Sequence, residues 1–126
     1  MLTTIANVLA GLIGAGIVLI GVLGIVAPRG SVGFGIPDTP AESPSFHAWL
    51  TVKAVRDLAC ALFLFILLAA GPTQLLGWFM LAAACIPVGD ATIVLRAGGP
   101  KAAAYGIHGA TAAVMLAVGA LLLVAA

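Results

Sequence analysis

Four apolar stretches dominate this chain, at about residues 5–27, 46–70, 74–95 and 102–125. Each reaches the roughly 20 apolar residues that a helix needs to span hydrocarbon. The turns GPTQ (71–74) and GGPK (98–101) are so short that the helices they join must run antiparallel as neighbours. The expected fold is therefore all-α. It is a polytopic membrane protein built as an antiparallel four-transmembrane-helix bundle, with residues 1–126 forming one transmembrane domain. The first connection, PRGSVGFGIPDTPAESPS (28–45), differs from the others. Its Pro, Gly and Ser content excludes a regular helix or a central strand.

Composition supports the same solvent. Hydrophobic residues are 63% of the chain and charged residues 7%, against about 25% charged in soluble domains. So few charges could not cover a water-facing surface. A net charge of +1 gives no footprint for nucleic acid, so none is expected as a partner. Cys60 and Cys85 lie in apolar runs, are read as small packing residues, and imply no disulfide framework or metal site. The first apolar run lacks Lys or Arg before it and exceeds the roughly 7–15 residues of a signal-peptide core. It reads as a retained spanning helix. No internal repeat is evident.

All five cations, Arg29, Lys53, Arg56, Arg96 and Lys101, fall at helix ends that share one face of an up-down bundle. The opposite face carries no charged side chain. Positive charge marks the cytoplasmic side, so a cell-membrane location with both termini on the non-cytoplasmic side is expected.

Asp57, Asp90 and His108, with Tyr105 one turn from His108, lie inside the apolar stretches at similar depth in that half. An unpaired charge near the bilayer centre costs roughly 2.5–3.5 kcal/mol, so such groups turn inward and find partners. Arg96 lies six residues beyond Asp90, about 120° around the helix, and is a poor partner. Arg56 or His108 from another helix is the better choice. Lys53 and Asp57, four apart, share a face and can pair locally. Tyr105, His108 and Thr111 form a second polar stripe. Pro87 cannot donate to the carbonyl of Ala83 and should bend the third helix.

Asp90, Asp57, His108 and Tyr105 are thus the candidate catalytic acid–base groups. Arg56, Lys53, Trp49 and Phe34 are the candidate ligand-binding residues. The competing reading is a purely structural network that fixes helix register. The long first connection, with Phe34, Ile36 and Phe46 among its glycines and prolines, can strap the cytoplasmic mouth or simply lie at the interface with Trp49 as anchor. His47 is read as solvated. The small-residue rows Ala6-Ala10-Gly14 and Ala102-Gly106-Ala110 allow close helix approach within the bundle, with a homo-oligomer as the lesser alternative.

The strings APRG and GFGIP after the first helix, VRDLA in the second, GDATIVLR in the third and a lone His near the start of the fourth resemble a family of small membrane proteins known as domain of unknown function 4267. A weaker likeness is to the DoxX-like group. The resemblance implies a four-helix membrane fold and carries no reaction or catalytic residue with it.

Three function classes follow. One is a protein that binds or converts a lipophilic small molecule by acid–base chemistry of isomerase or cyclase type. No motif for haem, flavin or nicotinamide is present, and no cofactor is expected. Another is a proton-coupled transporter, disfavoured because the outer half of every helix is apolar. The last is a non-catalytic membrane accessory subunit. Membrane lipid is the expected surrounding partner in each case.

Overall fold

Residues 1–126 are described by a computed structural model. The chain is all-helical. Helix α1 spans Leu2–Val26, α2 Pro44–Ala70, α3 Thr73–Arg96 and α4 Lys101–Ala125. Within α3 the regular winding breaks at Ala84, dividing it into Thr73–Ala83 and Cys85–Arg96. The break follows from Pro87, whose ring has no N–H for the Ala83 carbonyl four residues earlier. The backbone pattern recovers at once, with Val88 N–H donating to the Ala84 carbonyl at 3.3 Å. In α4 a six-residue π segment, Ala104–Gly109, interrupts the helix one turn from its start.

Local chemistry sets the ends. Pro44 occupies the first turn of α2, where a missing N–H costs nothing. Helix α3 closes in a Schellman turn. Gly98 takes a left-handed conformation (φ 75°), its N–H donating to the Leu95 carbonyl at 3.1 Å and the Gly99 N–H to that of Val94 at 2.9 Å. The first connection is more ordered than its composition implies, since Pro28–Phe34 winds as a 3₁₀ helix. Short 3₁₀ pieces tolerate Pro and Gly where an α-helix does not.

The helices pack as α1 on α2 and α3 on α4, with contacts of α1 to α4 and α2 to α3 closing the ring. Thr3 Oγ1–H donates to the Ala125 carbonyl at 3.1 Å, tying the start of α1 to the end of α4. The core, around Ala6, Ala10, Leu64, Leu76, Met80 and Leu122, fills the uncharged end. The Ala6-Ala10-Gly14 row is buried inside the protein, whereas Ala102, Gly106 and Ala110 face outward.

Three helices, α1, α3 and α4, are long and apolar enough to cross a membrane. Only 22% to 33% of each apolar window is buried within the protein, so most of its surface faces outward. Large side chains such as Leu12, Phe63 and Val124 are more than half exposed, a pattern that water does not favour. The expected fourth span, α2, does not meet the same measure. Every 18-residue window of it contains the three charged residues Lys53, Arg56 and Asp57.

Helices α3 and α4 interlock through glycine. A Cβ on Gly77 would meet Leu123 Cδ2 at 2.8 Å, and one on Gly119 would meet Leu81 Cδ2 at 2.8 Å. Gly119→Val is therefore expected to destabilise the fold by about 1–3 kcal/mol through overpacking. Gly16→Ala, with open space around it, should be close to neutral. Thermal unfolding of the two variants in one detergent checks the difference, and equal melting points would contradict the interlock.

Candidate functional site

The site lies at the charged end, beneath the strap formed by residues 28–43. Helix α2 presents Lys53 and Asp57 on one face, four residues apart, with Nζ 2.6 Å from Asp57 Oδ2. Just below the break in α3, Asp90 projects toward α4. The π segment of α4 carries His108, the one polar residue that is buried outright. Its Nδ1 lies 3.8 Å from Asp90 Oδ2.

The strap is held over these groups by its own backbone. His108 Nε2–H donates to the Phe34 carbonyl at 2.8 Å. A carbonyl can only accept, so this bond puts the proton of a neutral imidazole on Nε2. Nδ1 then turns its lone pair toward Asp90. The Phe34 ring sits 5.9 Å from Lys53 Nζ in a cation–π arrangement. Farther along, His47 Nε2–H donates to the Ala41 carbonyl at 2.7 Å. Arg29 pairs with Glu42 at 2.7 Å across the strap, and that hydrogen bond holds the Glu42 carboxyl below its usual range.

Two chambers meet at these residues. An inner one of about 100 Å³ runs into the helix ring between Ile17, Ile20, Ile86 and Met115. An outer vestibule of about 400 Å³ lies under the strap, walled by Ile36, Phe46, Trp49 and Val94. Phe34, Lys53, Asp90 and His108 line both. Polar groups thus collect at the junction, and apolar surface extends on either side.

Of the candidate residues, Asp90, Asp57, His108, Lys53 and Phe34 are brought together, and Trp49 stands exposed at the vestibule rim. Two are not. Arg56 is exposed, lines neither chamber and forms no ion pair, because one residue's step of about 100° turns it off the Lys53–Asp57 face. The group nearest Asp90 from another helix is His108, at 3.8 Å, rather than Arg56. Tyr105 is 60% exposed and points away from His108. The wider i→i+5 winding advances each residue by less than an α-helical step, so three residues no longer return to the same face. His47 is tied into the strap instead of being merely solvated.

Sequence reading missed Gly35 and Gly99. Gly35 has φ 107°, and a Cβ there would meet Ala103 Cβ at 2.8 Å and Val94 Cγ1 at 3.0 Å. A Cβ on Gly99 would overlap the Gly35 carbonyl. The strap docks on the α3–α4 turn through this glycine pair. The strings GFGIP and GGPK were visible, but nothing local says that they touch.

A family model described as a domain of unknown function (DUF4267) matches residues 14–122. No curated protein and no solved structure matches the chain.

Proposed function

From the premise that the chain belongs to the DUF4267 family, which assigns it no reaction, we propose that it is a four-span antiparallel bundle in the cell membrane that binds a lipophilic small molecule and acts on it by acid–base chemistry. In this reading α2 is the fourth span. Its charges are tolerated because Lys53 and Asp57 neutralise each other at 2.6 Å, and Arg56 reaches the headgroups. The cation-bearing end faces the cytoplasm and both termini lie outside.

One observation carries the proposal. Lys53, Asp90 and His108, from three helices, converge at the junction of two chambers, with Asp57 paired to Lys53 on the inner side. A vestibule of about 400 Å³ lies within the roughly 300–1,000 Å³ of small-molecule sites, which combine apolar walls with a few converging polar groups. The polar end of an amphiphile would lie at the junction. Asp90 would accept a proton from the bound amphiphile and pass it to the neighbouring His108 Nδ1, which would return it at a second position, restoring both groups. Such a transfer is the whole chemistry of an isomerisation.

The test is native mass spectrometry of detergent-solubilised protein with geraniol, geranylamine and a short-chain quinone as probes. Wild type is expected to retain at least one of them. Asp90→Asn should weaken retention about tenfold, equivalent to roughly 1.4 kcal/mol, with its melting point little changed. Equal retention by Asp90→Asn would remove Asp90 from the site. Failure of wild type to retain any of the three would contradict the lipophile reading.

A further inference from the structure

The charges on the walls of the two chambers do not balance. Lys53 is the single Lys or Arg among them, and its ammonium is already paired with Asp57. Asp38 stands exposed at the vestibule and Asp90 at the junction, so the lining carries three carboxylates against one fixed cation. Nor does His108 redress this. Its Nε2 proton is committed to the Phe34 carbonyl, and its Nδ1 lies 3.8 Å from Asp90, beyond hydrogen-bond length. Protonation of His108 would still leave the lining negative by one. Asp90 is therefore a half-sheltered carboxylate, 32% exposed, facing cavity space with no donor in contact.

Building on the lipophile-binding reading above, we infer that the ligand carries a positively charged nitrogen, an alkylammonium or protonated amine, whose counter-ion is Asp90. The aromatic walls fit such a guest. Phe34, Phe46 and Trp49 line the vestibule, and cations are drawn to aromatic faces. The Phe34 ring already attracts the one cation nearby, Lys53. A carboxylate or phosphate head is disfavoured, because it would meet Asp90 with no uncommitted Lys or Arg to receive it. The apolar remainder of the guest has the inner chamber on one side and the vestibule on the other.

Three radiolabelled probes of one chain length, decylamine, decanol and decanoate, separate the possibilities. Binding is read by scintillation proximity on tagged protein in phosphatidylcholine nanodiscs at pH 7, with empty discs subtracted. Decylamine is expected to bind about tenfold tighter than decanol, with decanoate weakest. Asp90→Asn should erase the amine's advantage, bringing decylamine and decanol to similar affinity. The wild-type ranking needs no variant, so the inference stays testable should Asp90→Asn fold poorly. Decanol or decanoate binding as tightly as decylamine would overturn the charged-nitrogen assignment while leaving a lipophile site. Saturable binding of none of the three would overturn both.

Discussion

Gly35→Val is expected to undock the strap and cost about 2–6 kcal/mol. Two effects add. A β-branched residue at φ 107° is strained, worth about 1–3 kcal/mol. Its side chain must also occupy the space of Ala103 Cβ and Val94 Cγ1, at 2.8 and 3.0 Å from the first added carbon, and overpacking of this kind costs about 1–3 kcal/mol. Neither neighbour can yield easily. Val94 is 2% exposed, and Ala103 sits at the rigid start of α4. With the strap displaced, the Phe34 carbonyl leaves His108 and the vestibule loses its roof. Gly33→Ala provides the control, since a Cβ there meets nothing within 4 Å. Limited proteolysis between residues 35 and 43, together with thermal unfolding, should show rapid cleavage and a lower melting point for Gly35→Val alone. Equal cleavage of the two variants would show that the glycine pair does not hold the strap.

His108→Ala should have effects of similar size through a different route. The substitution leaves the Phe34 carbonyl without a donor, at about 1–3 kcal/mol for a sheltered acceptor. It also removes the base facing Asp90 and opens a cavity where an almost buried ring was. Ligand retention is expected to fall at least about tenfold. His108→Gln divides the two roles. Its amide N–H can still donate to Phe34, while its carbonyl oxygen cannot carry a proton as imidazole does. Strap protection from protease should thus recover in His108→Gln, and proton transfer to a bound substrate should not. If His108→Ala left both the strap and retention intact, the Phe34 bond and the imidazole beside Asp90 would lose their assigned weight.

Several features of the site were legible in particular residues. Asp90 in an apolar stretch demanded a partner from another helix, and His108 stood at the matching depth in α4. Lys53 and Asp57 at spacing four were bound to share a face. Pro87 announced the break in α3 through a hydrogen bond it cannot make. Tyr105 and Arg56 show where such inference stops. Tyr105 was placed by assuming α-helical winding through Ala104–Gly109, and no residue there advertises a π segment. Arg56 was assigned by charge alone, although the angle that brings Asp57 inward turns Arg56 out. Composition also blurs α2, where Lys53 and Asp57 offset each other in space but count separately along the chain.

The order of apolar and polar residues alone determined that the chain is helical, that α1, α3 and α4 can cross a membrane, and that charge gathers at one end. These depend on neighbours within a few turns, which the linear order specifies completely. Only the tertiary structure decided that Phe34 divides two chambers, that its carbonyl fixes the His108 tautomer, and that Gly35 meets Gly99. Those contacts join residues up to 74 positions apart. They depend on how rigid helices rotate and dock against one another, a relation that no local pattern encodes.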